Sequence, residues 1–326
     1  MEALVITEDH RLVVEARPTP RPEPHEVLVR VAGAGLNRAD LLQRMGAYPP
    51  PPGAPVDIPG MEFAGVVTAL GDAARVVAVG DAVFGIVGGG AQAEYLAVHE
   101  LHCAPVPAGY DLVTAGGVPE NFITAHDALR TIAAVQPGER VLIHAVGSGV
   151  GTAALRLAKA WGCPTVGTAR TPEKLERARE LGLDHAVLAE RELDPEALAK
   201  RIVDEAGPCD VVIDLVGGEY VRADVAAAAP RARIVLIGLI AGSRSGNFPV
   251  GAVLAKRLTL VGTTLRGRSV EEKAAATAAF TRDVVPLLAA GTVAPVIEAT
   301  YPLAKAEDAY ARLASDATFG KIVLTP

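Results

Sequence analysis

The sequence predicts an α/β protein in which a β-rich N-terminal domain precedes a doubly wound parallel sheet. Three observations predict it. The glycine-rich turn His144-Ala145-Val146-Gly147-Ser148-Gly149-Val150-Gly151 follows the apolar run Val141–Ile143 and precedes a helical stretch, Thr152–Lys159. Beyond that turn, apolar runs alternate with amphipathic stretches, the pattern of parallel strands covered by helices on both faces. Ahead of it, through about residue 117, short strand-like runs are separated by Pro and Gly.

In the N-terminal part, Glu26–Val31, Ala64–Val67, Ala82–Val87 and Ala93–Val98 read as strands. Arg17–Pro24 reads as an extended surface connection and not as a polyproline ligand. In the second part, Thr165–Ala169 follows as a strand. Pro172–Gly182 is a helix with Pro near its start and Gly at its end. His185–Leu188 is a strand, and Pro195–Ala206 a helix with Asp194 as N-cap. Asp210–Val216, Arg233–Gly238 and Leu258–Gly262 complete the apolar strands. A long Ala-rich helix (Val270–Ala290), a strand (Pro295–Ala299), a helix (Ala304–Ala314) and a last strand (Gly320–Leu324) end the chain.

At 326 residues, two domains are expected. Half the residues are hydrophobic and 4% aromatic, so Ala, Val and Leu must fill the cores. A net charge of −7 gives no general attraction to nucleic acid or anionic lipid. No 18-residue apolar span and no basic-then-apolar leader is present, so a cytoplasmic protein is expected. Cys103, Cys163 and Cys209 form no metal spacing and no disulfide framework.

A strand, a glycine-rich turn and a helix N-terminus together make an anion site. Small residues let the backbone approach a pyrophosphate, and unpaired N–H groups point at it. Thr152 breaks a strict G-x-G-x-x-G; read back from Gly151, the spacing is Ala145-x-x-Ser148-x-x-Gly151. Gly147, Ser148, Gly149, Val150 and Gly151 are the expected contacts of this Rossmann-type turn. An NAD site carries an acid at the end of the second strand, bonding the ribose 2′-OH. Here that place reads Thr168-Ala169-Arg170-Thr171, and no acid occurs before Glu173. Arg170 and Lys174 are therefore expected to hold a 2′-phosphate, which selects NADPH. Gly217, Gly238 and Leu239 end the fourth and fifth strands, where ligands of open α/β sheets lie. No Ser-His-Asp or paired-carboxylate constellation stands out, and hydride transfer requires none. Tyr48, ahead of a rigid Pro-rich loop, is the first candidate to contact a substrate carbonyl.

Gly35-Leu36-Asn37-Arg38-Ala39-Asp40-Leu41-Leu42-Gln43-Arg44, Tyr48–Gly53, Pro59–Val67, Gly88–Tyr95, His144–Gly151 and Gly320–Leu324 bring a family into view. In order and spacing they resemble the quinone oxidoreductases, the zeta-crystallin-like, zinc-free branch of the medium-chain dehydrogenase/reductase superfamily. Within it they are most similar to the stress-inducible, tumour-suppressor-regulated subgroup. The resemblance covers essentially the whole chain. It implies a GroES-like substrate domain (1–118, completed by 266–326) and a Rossmann NADPH domain (119–265). The positions where zinc relatives place Cys, His and Cys correspond to Asn37, Met61 and Glu120. Asn and Met are poor zinc ligands, so no metal is expected. Asn37, standing at one of those positions, is the second catalytic candidate, its amide orienting substrate or nicotinamide. Glu62 reads as structural. The resemblance further implies nicotinamide contact by Thr124, expected to open the helix into the nucleotide domain. Leu265 and Arg266 are implied as nicotinamide- or phosphate-side contacts, and Lys174 takes a family position for phosphate recognition.

The expected activity is hydride transfer from NADPH to a quinone or related conjugated carbonyl. Two alternatives stand beside it: an NADPH-dependent enone or enoyl reductase, and a non-catalytic, crystallin-like NADPH-binding protein, some of which bind RNA. The acidic charge and the lack of an aromatic-plus-basic patch argue against RNA. The apolar, β-branched run Leu258–Thr264, expected at an open sheet edge, and the resemblance both point to a homodimer.

Overall fold

The computed structural model describes residues 1–190, 192 and 194–326. It divides into two compact units, Met1–Ile123 with Leu265–Pro326, and Thr124–Thr264.

The first unit opens with an antiparallel hairpin, β1 (Glu2–Ile6) and β2 (Leu12–Ala16). There follow β3 (Glu26–Leu36), α1 (Arg38–Arg44), β4 (Glu62–Leu70), β5 (Ala82–Ile86), β6 (Tyr95–His99), β7 (Cys103–Pro105) and α2 (Leu112–Ala115). β3 runs five residues past the expected end, because its C-terminal part pairs with a strand from the end of the chain. Glycine is required along this stretch. A Cβ on Gly33 would lie 2.7 Å from the Val113 carbonyl oxygen, and one on Gly65 of β4 2.1 Å from that of Arg30. Val27, Val29, Phe63, Val83 and Leu96 fill the core between these strands.

α3 (Pro119–His126) begins at Pro119, whose missing N–H costs nothing in a first helical turn. It widens into a π-helical turn through Ile132. The second unit then alternates strand and helix: β8 (Val141–Ile143), α4 (Gly149–Ala160), β9 (Thr165–Ala169), α5 (Pro172–Glu180), β10 (His185–Leu188), α6 (Pro195–Ala206), β11 (Cys209–Asp214), α7 (Tyr220–Ala227), β12 (Ala228–Leu236), α8 (Val250–Lys256) and β13 (Thr259–Gly262). The sheet is parallel throughout, in the order β10-β9-β8-β11-β12-β13. Leu142, Val166, Val212 and Ile234 pack one face of it against Leu198, Ile202 and Ala223 of α6 and α7. Helix α6 is capped at Asp194 as expected, and α5 is capped by Thr171. Asp194 accepts from Glu196 N and Ala197 N, and the Thr171 hydroxyl from Lys174 N.

The chain returns to the first unit through α9 (Val270–Asp283), α10 (Val285–Ala289), β14 (Ile297–Pro302), α11 (Ala306–Ala314) and β15 (Lys321–Thr325). The single helix expected over 270–290 is broken at Val284. Pro286 has no N–H for a continuing ladder, and the helix restarts with that proline in its first turn. β14 starts at Ile297, where its parallel pairing with β15 begins, rather than at Pro295. β15 then pairs antiparallel with Ala34–Leu36 of β3. Its Ile322 and Leu324 share a core with Leu4, Leu36 and Tyr310, and the Tyr310 hydroxyl donates to Gln92 Oε1 at 2.8 Å. Among the described residues, no helix is long and apolar enough to cross a membrane.

Candidate active site

In the second unit the strand order reverses between β8 and β11, and the carboxyl ends of these two strands are where open α/β sheets bind ligands. The glycine-rich turn leaves β8 there. Ala145 takes a left-handed backbone (φ 50°), and the Ser148 hydroxyl caps α4 by accepting from Gly151 N at 3.1 Å. Gly147 and Gly151 are buried, whereas Ser148, Gly149 and Val150 are partly exposed. A Cβ on Gly151 would stand 2.4 Å from the Ala145 carbonyl oxygen, so this glycine closes the turn upon itself. The N–H groups of Gly149 and Val150 lie in the first helical turn, where no intrahelical acceptor exists. These residues fit a dinucleotide pyrophosphate.

A buried polar cluster supports the turn. His144 bonds Thr168 Oγ1 through Nδ1 (2.8 Å) and Asp224 Oδ1 through Nε2 (2.7 Å). Burial lowers the imidazole to about 4 and raises Asp224 well above the usual carboxylate range. Burial, reinforced by neighbouring Asp224, raises Asp214 to about 7. Asp214 Oδ1 accepts from Val216 N (2.7 Å) and Gly217 N (2.9 Å), fixing the turn after β11. Gly217 has φ 68°, and a Cβ on Gly238 would sit 2.2 Å from the Leu215 carbonyl oxygen. The turns after β11 and β12 thus pack backbone to backbone, with Leu239 exposed beyond them. Arg170 is exposed directly after β9, and Lys174 is half-buried one turn into α5. The fold therefore gathers the turn, both strand ends and both bases at the carboxyl end of one sheet. Thr124 lies in the last turn of α3, not at its start as expected, and is 9% exposed.

The first unit gathers the remaining candidates. Tyr48 is half-buried, with the Arg266 guanidinium 5.2 Å from its ring centre. Burial raises the phenol above its ordinary value, so it stays protonated. Among the described residues its hydroxyl has no hydrogen-bond partner. Arg266 is itself buried. It donates through Nε to the Gly88 carbonyl (2.8 Å), through Nη1 to that of Tyr48 (3.2 Å) and through Nη2 to Gln43 Oε1 (2.5 Å). Its guanidinium is committed to holding the Tyr48 loop. Leu265 beside it is a buried core residue.

Asn37 differs most from expectation. Its Nδ2 donates to Glu62 Oε1 (3.0 Å) and the Gly35 carbonyl (3.3 Å), and its Oδ1 accepts from Lys321 Nζ (2.6 Å). Both amide protons are engaged inside the unit, leaving none to orient a substrate. Asp40 accepts from Asn37 N (2.8 Å) and Gly60 N (3.1 Å), and burial raises it to about 6. Burial and the adjacent Glu62 raise Glu120 to about 8. Lys321, Asn121 and Asp40 were not singled out by the sequence. The available signals were Glu62 among apolar neighbours and Lys321 heading an otherwise apolar strand.

The donor set does not fit zinc. Asn37 is occupied as described, Met61 offers a buried thioether, and Glu120 alone is a strong ligand type. Among the described residues no group of three or more His, Cys, Asp or Glu is placed to hold a metal ion.

The 3-2-1-4-5-6 strand order with an anion-ready helix at the switch point defines a dinucleotide-binding unit of the Rossmann type. Residues 149–280 match the family described as zinc-binding dehydrogenase, and residues 23–108 the alcohol dehydrogenase GroES-like domain. The chain is similar to human quinone oxidoreductase, 32% identical over 94% of this chain and 90% of that protein. It is 33% identical over 93% of its length to the pikromycin polyketide synthase component PikAII of Streptomyces venezuelae, of which it spans 8%. A mycobacterial protein solved in complex with NADPH superposes with a TM-score of 0.87 at 26% identity, both chains covered in full. The chain belongs to the quinone oxidoreductase family of medium-chain dehydrogenases/reductases. It is an oxidoreductase of a family that binds a nicotinamide cofactor.

Proposed function

We propose that the protein is an NADPH-dependent quinone oxidoreductase that works without zinc. The observation that carries this reading is Tyr48, a protonated phenol whose hydroxyl has no hydrogen-bond partner among the described residues, in a unit whose zinc-ligand positions do not suit zinc. A single neutral donor suits an acceptor that is already electrophilic, such as a quinone, better than an alcohol that must lose a proton. NADPH, when bound, supplies the hydride. Gly147, Ser148, Gly149, Val150 and Gly151 receive the pyrophosphate, and Arg170 and Lys174 the 2′-phosphate. Gly217, Gly238 and Leu239 border the cofactor, and Thr124 meets the nicotinamide amide. Tyr48 donates to the acceptor oxygen as negative charge develops there, and Tyr48 or solvent delivers the proton. Arg266 and Asn37 act as positioning residues of the first unit.

In this reading residues 1–118 with 266–326 form the substrate domain and 119–265 the NADPH domain, in a cytoplasmic enzyme. β13 is an edge strand, and Phe248, Val250 and Leu254 expose apolar surface just before it in the sequence. This supports a homodimer joined edge to edge. NADPH oxidation with an ortho-quinone, a para-quinone and an enone tests the function. Faster turnover of the quinones supports it. Preference for the enone identifies an alkene reductase, and NADPH binding without turnover of any acceptor identifies a non-catalytic protein.

A further inference from the structure

Lys273 is the one charged side chain that α9 buries. Ser269 caps the helix, its hydroxyl accepting from Glu272 N (3.2 Å) while Glu272 Oε2 accepts from Ser269 N (2.9 Å). Glu271 and Glu272 stay exposed, whereas Lys273 turns inward at 7% exposure. Among the described residues its ammonium donates no hydrogen bond and joins no ion pair. The stem is buried, and Nζ itself keeps an opening. A charge held in protein without an acceptor is costly, so packing alone does not account for this lysine.

The groups around it lack an anion. Burial lowers the ammonium below its ordinary value; Glu120 favours its charge and Arg266 opposes it. On the other side His102, whose ring bonds the Val270 carbonyl, feels the same ammonium. Arg266 spends its donors on the neutral oxygens of Gly88, Tyr48 and Gln43 and forms no ion pair. Glu62 is paired with Lys321, and Asp40 accepts from the main-chain N–H groups of Asn37 and Gly60. The Glu120 carboxyl has no side-chain partner among the described residues, and burial beside Glu62 favours its neutral form. Two buried cations, Lys273 and Arg266, thus stand without a carboxylate partner, and Tyr48 feels both Arg266 and Glu120. All of these groups belong to the first unit.

We propose that Lys273 determines acceptor specificity: its ammonium binds a carboxylate carried by the acceptor, so the preferred acceptors are quinones that bear an acid group. The proposal rests on the reading of Tyr48 as the mark of the acceptor site. The anion site itself does not depend on which carbonyl is reduced.

The unaltered chain and its Lys273→Met variant, which keeps the length and loses the charge, are titrated calorimetrically with benzoate and with NADPH. Benzoate should bind once per chain, and Lys273→Met should weaken it about tenfold while NADPH affinity stays. In turnover, the preference for a carboxylate-bearing benzoquinone over its methyl ester should fall about tenfold in Lys273→Met, mainly through KM. Thermal unfolding should show no loss of Tm, because the charge removed has no partner. Failure of the unaltered chain to bind benzoate would overturn the proposal, as would equal benzoate affinity in the two proteins. So would a loss of NADPH affinity in Lys273→Met, which assigns the ammonium to a phosphate, or a Lys273→Met that unfolds at lower temperature or fails to fold, which makes it structural. If neither protein reduces any quinone, the quinone reading fails, and the benzoate titration still decides the anion site.

Discussion

Replacing Tyr48 by Phe removes one hydroxyl and leaves everything else around that ring in place. The Arg266 guanidinium lies over the ring, 5.2 Å from its centre, and Arg266 Nη1 donates to the Tyr48 main-chain oxygen. Neither contact uses the hydroxyl. The cation–π interaction, about 0.5–1 kcal/mol at a partly exposed site, survives in Phe. Stability should therefore change by less than about 0.5 kcal/mol. The effect on rate is different. Burial keeps the phenol protonated, so it is a donor at any ordinary assay pH. Loss of one donor to a developing oxyanion costs about 2.7–4 kcal/mol in strongly charge-separating reactions. A quinone delocalises that charge, and a loss of about tenfold in kcat, ~1.4 kcal/mol, is expected. An enone delocalises it less and should lose more. The assay combines kcat with both acceptors, NADPH affinity by fluorescence titration and thermal unfolding. Unchanged rates with both acceptors would refute the reasoning, as would parallel losses of NADPH affinity and stability.

Lys174→Ala should weaken NADPH binding by roughly tenfold, ~1.4 kcal/mol, and leave NADH affinity nearly unchanged. Calorimetric titration of both nucleotides checks this, and equal losses for the two would contradict it. Glu120→Gln should make stability less sensitive to pH. Burial raises Glu120 from 4.5 to about 8, so between those values the native state holds a proton that the unfolded chain has lost. Its contribution is fully present below about 4.5 and is lost as pH rises through about 8, at no more than about 1.4 kcal/mol per pH unit. Gln has no such proton, so the variant's advantage in urea unfolding should widen across that window; parallel profiles would refute the assignment. Light scattering at micromolar concentration should give a dimer mass, and a charged residue at Val261 on the edge strand should lower it to the monomer. A monomer before substitution would remove β13 as an interface.

The second unit was the more legible half. Its central strands β8, β9 and β11 are buried and read as apolar runs, and its helices start at local caps: Asp194 caps as expected, and Ser148 and Thr171 cap as well. The first unit hid more. The β1–β2 hairpin gives a weak local signal, and the full length of β3 depends on β15, nearly 300 residues away in sequence. Among the candidate site residues, Gly147–Gly151, Arg170, Lys174, Gly217 and Gly238 are suggested by local spacing, and the fold places them at the carboxyl end of one sheet. Asn37 and Arg266 could not be read in the same way. Their donors are engaged by Glu62, Gly35, Gln43, Tyr48 and Gly88, partners that only the tertiary structure brings near. Lys321 stands in the segment Gly320–Leu324, but nothing in that segment marks its side chain as buried. A buried ion pair shows in sequence only as a charge out of place in an apolar run, a pattern shared by any strand that turns one residue to solvent.

The most direct test of the central claim is quinone-dependent oxidation of NADPH deuterated on both faces of nicotinamide C4, by protein first freed of metal by exhaustive chelation. The account predicts sustained turnover, one quinone reduced by two electrons' worth per NADPH consumed, at a rate slowed by the deuterium. Folded, NADPH-binding protein that leaves every quinone untouched, or turnover that disappears with the metal and returns with zinc, would contradict it.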